Sequence, residues 1–122
     1  MTAHTIPAPL RALAGLLAAV AMPAAAVGLG ELRVHSGLGE PLDATAALEA
    51  APGEAPRRDC FRQGRLPSGE LPAVPGVAFA VEPDGTGWKL RLRTRVAVRE
   101  PVSRLRVDAS CEGKAAASRT YD

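Results

Sequence analysis

The sequence is poor in aromatic residues and lacks the strong positive charge that nucleic-acid-binding surfaces carry. Among its 122 residues are one tryptophan, one tyrosine and two phenylalanines, and the formal net charge is +2. Proteins that bind nucleic acid combine a clearly basic surface with aromatic side chains that stack on bases. We therefore do not expect nucleic acid among the partners.

Side chains suited to catalysis or metal binding are also scarce. His35 is the only histidine beyond residue 26, and no CxxC pair is present. A metal site would need further ligands. The serines have no plausible base nearby in sequence, and the carboxylates lack the paired arrangement that glycoside hydrolysis uses. The composition predicts a protein that is not an enzyme and that carries no cofactor and no metal.

The N-terminal apolar run falls short of the roughly 20 residues that a membrane-spanning helix needs. It extends from Ala12 to Val27, about 16 residues, and is interrupted by a glycine and a proline. Arg11 precedes it, and the small residues Ala24–Ala26 fit a cleavage site. Residues 1–26 thus have the pattern of a secretory signal peptide. We expect cleavage after residue 26, export to the periplasm and no remaining membrane span; an uncleaved anchor is the alternative.

Cys60 and Cys111 are the only cysteines. In an exported chain, two cysteines allow one intramolecular disulfide. Such a bridge would close a loop of about 50 residues, worth roughly 4 kcal/mol in loop-closure entropy. Two free thiols and a reactive cysteine are the alternatives.

The clearest structural signal is the alternation in residues 88–101, WKLRLRTRVAVREP. One set of alternate residues is mostly apolar: Trp88, Leu90, Leu92, Thr94, Val96 and Val98. The other set is mostly basic: Lys89, Arg91, Arg93, Arg95 and Arg99. A period of two predicts a half-buried strand, and its apolar side needs a second layer to cover it.

Five further segments have strand-like composition, namely residues 28–36, 42–48, 76–82, 105–111 and 117–121. The glycines and prolines of 37–41 and 83–87 predict turns between them. The first two segments predict a hairpin or a tight corner between sheets. Residues 44–51 could instead form a helical turn, because alanine and glutamate favour helix.

Residues 49–75 interrupt the strand pattern with five prolines and three glycines. Proline is excluded from helix interiors and from central strands, so only residues 57–62 could form a turn of helix. Cys60 lies in this segment, and a bridge to Cys111 would hold it against the last strands. The whole pattern predicts one all-β domain over 27–122: a small antiparallel β-sandwich, loosely Ig-like, with about six strands, a long proline-rich loop and one disulfide.

The basic row Lys89, Arg91, Arg93 and Arg95 is the candidate binding surface. It would suit an anionic polymer, lipid headgroups or an acidic protein, and Arg104 and Arg106 would extend it if their strand pairs with this one. The alternative is a solvent-facing side of the sheet whose charges are balanced by acidic cross-strand neighbours.

Three segments resemble the N-terminal periplasmic domain of the FimV family, which comprises type IV pilus assembly and cell-pole hub proteins. The first is LGELRVHSGLGEPLDA with the glycine before it, in which the following residues fit the family pattern: Gly28, Leu29, Gly30, Glu31, Val34, Ser36, Leu38, Gly39, Pro41, Leu42 and Ala44. The second is TRVAVREPVSRLRV, which resembles the family's later strand and turn at Val98, Arg99, Glu100 and Pro101. The closing SRTYD resembles the family's last strand at Arg119 and Tyr121.

The resemblance implies a non-catalytic periplasmic module that binds protein partners of the pilus or envelope machinery. A free periplasmic binding or inhibitor protein that shares the fold is the alternative. Three departures stand out: the proline-rich middle segment, the cysteine at 111 where relatives often have tryptophan, and the end of the chain at Asp122. Relatives continue into a peptidoglycan-binding LysM module, a membrane helix and an acidic cytoplasmic region, so we expect no peptidoglycan binding by this chain alone.

Overall fold

The computed structural model describes residues 27–51, 53–69, 71–112 and 116–122, so the predicted signal peptide lies outside the described residues. Within these ranges the protein is all-β, and no helix is long and apolar enough to cross a membrane. The strands are β1 (Gly28–Val34), β2 (Pro41–Glu49), β3 (Phe61–Gln63), β4 (Val77–Asp84), β5 (Gly87–Ala97), β6 (Leu105–Ala109) and β7 (Ala117–Tyr121).

The strands form two antiparallel sheets that pack as a sandwich. One sheet has the order β1-β2-β5-β4, and the other has the order β3-β6-β7. This arrangement and the Cys60–Cys111 disulfide confirm the predicted fold class. The strand that the sequence marks most clearly, β5, lies inside the larger sheet and pairs with both β2 and β4.

Local sequence explains the two hairpins of the larger sheet. β1 and β2 pair directly, so they form a hairpin and not a corner between sheets. The helical alternative for residues 44–51 is wrong, because burying Ala44 and Ala46 between paired strands outweighs the weak helix preference of alanine. Between β4 and β5 the turn is only two residues long, and its first residue, Gly85, has a φ of 60° that L side chains rarely adopt.

The core lies between the sheets and is made of the inward members of the alternating rows. Leu90 and Leu92 from the larger sheet and Leu105 and Val107 from the smaller one are at most 2% exposed. Full burial of each such side chain stabilises the fold by about 1.5–3 kcal/mol relative to exposure. The smaller sheet therefore contributes to the second layer that β5 requires.

A seventh strand, β3, lies within the proline-rich segment where the sequence predicted only a turn of helix. A 3-10 turn does form at Arg58–Cys60, and the chain then extends into β3, which pairs with β6. Phe61 is 4% exposed, so its burial stabilises a three-residue strand that has no alternation long enough to detect. The disulfide joins this segment to Cys111 just after β6.

The alternation of β5 breaks near its end, which corrects the predicted position of Val96. The pairing of β2 with β5 shifts register between Pro41 and Asp43, and Val96 is 61% exposed. The buried hydroxyl of Thr94 accepts a hydrogen bond from Leu42 N at 2.8 Å and donates one to Val96 O at 2.7 Å. This hydroxyl replaces the regular ladder bonds at the irregularity.

Side chains close the two sides of the sandwich. On one side, Tyr121 Oη donates to Gly30 O at 2.7 Å and Arg119 donates to Leu29 O at 2.9 Å, which joins β7 to β1. On the other side, the side-chain amide of Gln63 accepts from Val77 N and donates to Val74 O, both at 2.9 Å, next to β3 and β4. Among the described residues, these side chains link the two sheets at their edges, and no backbone ladder joins one sheet to the other.

Candidate functional site

The basic row on β5 meets acidic neighbours on both adjacent strands. Arg91 Nε donates to both carboxylate oxygens of Glu82 on β4, at 2.9 and 3.0 Å. Its Nη1 donates to Asp43 Oδ1 on β2 at 2.8 Å. The side chain of Arg91 is only 18% exposed, so its charge is largely satisfied within the sheet.

The electrostatics follow from this geometry. The hydrogen bond from Arg91 lowers the pKa of the Asp43 carboxyl below its usual value. Hydrogen bonds to Glu82 and Asp43 raise the pKa of Arg91 above its usual value. Such a bonded cation stabilises the sheet and is less available to an anionic ligand than a free one.

The other members of the row differ in availability. Lys89 is half-buried, while Arg93 is 61% exposed and its Nε lies 3.6 Å from Asp43 Oδ1. Arg95 is exposed at the irregular end of β5. Arg104 and Arg106 do not extend the row. Arg104 directly precedes β6 and Arg106 lies within it, and β6 pairs with β3 and β7 in the other sheet. Asp43 and Glu82 are acidic cross-strand neighbours of the kind that the solvent-facing alternative for this row predicts.

The two cysteines form a structural bridge within the described residues. Cys60 is 8% exposed, and its carbonyl accepts a hydrogen bond from Ser110 N at 2.8 Å, beside the bridge. The disulfide joins segments separated by 51 residues. It therefore ties the proline-rich segment to the end of β6, as the sequence predicted.

His35 and the acidic residues do not assemble a metal site in the described part of the chain. His35 Nε2 lies 2.9 Å from Thr45 Oγ1, next to β1 and β2. Among residues 27–51, 53–69, 71–112 and 116–122, no three histidine, cysteine, aspartate or glutamate side chains lie together in a way that could hold a metal ion.

An apolar groove of about 500 Å³ opens between the two sheets at one end of the sandwich. The sequence did not predict this site. Three of its lining side chains are exposed although they are large and apolar: Val34, Leu38 and Val102, at 57%, 64% and 52%. Leu42 and Leu105 form its buried base, one from each sheet. Exposed apolar side chains grouped in a concave surface are typical of binding sites.

Backbone bonds fix the loops that form the groove. Gly39 N donates to Val98 O at 2.8 Å, and Val98 N donates to Glu40 O at 2.9 Å. Gly39 has a φ of 86°, which only glycine adopts without strain. The β1–β2 loop is therefore held against the segment that follows β5.

A tyrosine and an ion pair mark the far side of the groove. Burial raises the pKa of the Tyr121 hydroxyl above its usual value, and this hydroxyl donates a hydrogen bond to Gly30 O. The side chains of Arg104 and Asp122 form a two-bond ion pair, with Nη2 donating to Oδ2 at 2.9 Å. The hydrogen bond from Arg104 lowers the pKa of Asp122. These contacts hold the end of the chain at the rim.

The groove brings together three segments of the chain, residues 29–44, 94–107 and 118–122. Val34 and Leu38 come from the first segment, Val98 and Val102 from the second, and Tyr121 from the third. These segments are far apart in sequence, and only the pairing of the strands makes them neighbours. The one signal in the sequence that could have indicated the site was the set of apolar residues at turns, such as Leu38 and Val102.

Comparison with protein-family models, with curated proteins and with solved structures finds no match for this chain. The class that the structure itself defines is a small disulfide-linked antiparallel β-sandwich.

Proposed function

We propose that the protein is a non-catalytic periplasmic interaction module of the type IV pilus or envelope assembly machinery, exported by cleavage after residue 26. The observation that carries the proposal is the meeting of all three FimV-like segments around one apolar groove. Leu38 fits the family pattern yet is 64% exposed in the β1–β2 loop, so a shared binding surface explains it better than packing in the core does.

The occupant of the groove that we propose is an extended apolar segment of a partner protein. Arg33 pairs with Thr45, and His35 N donates to Asp43 O, so the intervening Val34 directs its backbone groups away from β2. Among the hydrogen bonds within the described residues, those from β7 side chains reach β1 only at Leu29 and Gly30. A partner strand can therefore add to β1 beyond Gly30 and place alternate apolar side chains in the groove.

The test is site-specific photocrosslinking in cells. A photoreactive residue is placed at Leu38 or Val102 in the groove, and at Val96, which is equally exposed but does not line the groove. We expect adducts with a pilus or envelope assembly protein from the first two positions and not from the third. The mature mass should also show the loss of residues 1–26.

Each other outcome has a definite meaning. An adduct with a periplasmic hydrolase would replace the proposal with the inhibitor alternative. Equal adducts from Val96 and Leu38 would remove the groove as the binding surface. If the groove positions form no adduct with any envelope component in cells that assemble pili, the proposed function is refuted.

A further inference from the structure

The edge of the larger sheet at β4 is covered only in its first half, where Val77 N bonds to the Gln63 side chain and residues 58–62 lie beside residues 77–79. From Ala80 onward no side chain of the described residues bonds to its backbone. β1 carries a register shift between Leu29 and Leu32, and side chains of β7 bind two of its carbonyls. β4 is regular along its whole pairing with β5 and carries no charge from Val77 to Val81. Proteins usually block such edges with bulges, charges or covering segments, because an unblocked edge recruits another strand.

The backbone groups at this edge can be assigned from the hairpin. In a two-residue hairpin the closing pair, here Asp84 and Gly87, is hydrogen-bonded, and the bonds then alternate along the strands. Phe79 and Val81 therefore direct their N–H and C=O groups away from β5. Val77 has the same phase, and its N–H indeed bonds outside the sheet, to Gln63 Oε1 at 2.9 Å.

The sequence of the edge is a palindrome, Val77-Ala78-Phe79-Ala80-Val81. Pro75 and Pro83 lie at equal distances from Phe79. An antiparallel copy of the strand, related by a two-fold axis at Phe79, would place valine opposite valine, alanine opposite alanine and phenylalanine opposite phenylalanine. Every contact across such an axis is self-complementary, as a symmetric dimer requires.

Charges at the two ends of the edge are also complementary under this two-fold axis. Arg58 and Arg62 are exposed beside Val77 and Phe79, where they line one shallow cleft. Asp84 is exposed at the opposite end of β4. None of the ion pairs in the described ranges involves these three side chains. Antiparallel pairing of two copies would bring the acidic end of one beside the basic end of the other.

We propose that the occupant of this edge is a second copy of the chain, so that two four-stranded sheets join through β4 into one continuous sheet. The outward groups of Phe79 bond reciprocally to Phe79 of the second copy, and Val81 N bonds to Val77 O of that copy. Because Val77 N bonds to Gln63 Oε1 within one chain, the Gln63 side chain must release it for Val81 O of the second copy to accept this N–H. The exposed Ala78 and Ala80 let the two strands approach without steric hindrance. This self-association goes beyond the proposed function and uses a surface separate from the groove.

The first experiment is sedimentation equilibrium of the purified protein in non-reducing buffer from about 1 µM to about 1 mM, the affinity range of small interfaces. We expect the mass to rise from one chain to two across this range. The double variant Ala78→Lys/Ala80→Lys sets lysine opposite lysine at two places and should weaken the dimer at least tenfold. The matched control Ala55→Lys/Ala116→Lys adds the same charge at exposed alanines elsewhere and should dimerise normally.

A glutamate counterpart of the lysine variant tests the register of the pairing and shows whether the lysine variant is still folded. Ala78→Glu/Ala80→Glu should also be monomeric alone, but an equimolar mixture with the lysine variant should form a one-to-one heterodimer, because each lysine then faces a glutamate. A wild-type protein that stays monomeric throughout the range would overturn the proposal. So would an undiminished dimer of the lysine variant, or failure of the two variants to pair when mixed.

Discussion

Removal of the Cys60–Cys111 bridge should cost a large part of the stability of this domain. The bridge joins residues separated by 51 positions. Closing a loop of that length removes conformational entropy from the unfolded chain and so raises its free energy by roughly 4 kcal/mol. Small domains have a total free energy of unfolding of about 5–15 kcal/mol, so the loss is a substantial fraction.

The packing around Cys60 keeps the perturbation local. Cys60 is 8% exposed, and Phe61 beside it is 4% exposed, so β3 should stay docked through its pairing with β6. The double variant Cys60→Ser/Cys111→Ser removes the bridge with little change in side-chain volume. For a domain of this size, 4 kcal/mol corresponds to a fall in Tm of roughly 15–30 °C.

The assay is urea unfolding followed by tryptophan fluorescence, since Trp88 is half-buried beside the core. Wild type is measured oxidised and reduced, and the double serine variant is measured alongside. The reduced wild type and the variant should agree within about 1 kcal/mol, because both lack only the cross-link. A difference of less than about 1 kcal/mol between oxidised and reduced wild type would refute the reasoning, since loop entropy would then contribute little.

Two further predictions concern the larger sheet. Thr94→Val leaves the buried N–H of Leu42 without its acceptor and should lower the free energy of unfolding in urea by about 1–3 kcal/mol. Thr94→Ser keeps the hydroxyl and serves as the control, and an equal loss of stability in both variants would contradict this role. Arg91 lowers the pKa of the Asp43 carboxyl in the folded state. The ionised carboxylate therefore stabilises the fold at pH values above the pKa of the unfolded chain, and this stabilisation is lost as the pH falls through the folded-state pKa. Asp43→Asn should therefore be less stable than wild type at pH 7 and lose less stability on acidification, and parallel pH profiles of the two proteins would exclude the effect.

Much of the fold could be predicted because its signals are local. Alternation along Leu90, Leu92 and Leu105, Val107 marks strands whatever their partners are, and the Pro83–Gly87 segment marks a turn by its backbone preferences. β3 could not be predicted in this way, because a three-residue strand has no period to detect. It exists because Phe61 is buried in the core and because the disulfide holds the segment in place.

The sequence by itself determined the all-β class, the positions of six of the strands and the only possible disulfide pair. The tertiary structure decided which strands share a sheet, because pairing depends on contacts between residues distant along the chain. It also decided that Arg91 is bonded to Glu82 and Asp43, and that Val34, Leu38 and Val102 meet around one groove. Periodicity records the face on which a side chain lies, whereas the identity of its neighbours across the sheets is fixed only when the layers pack.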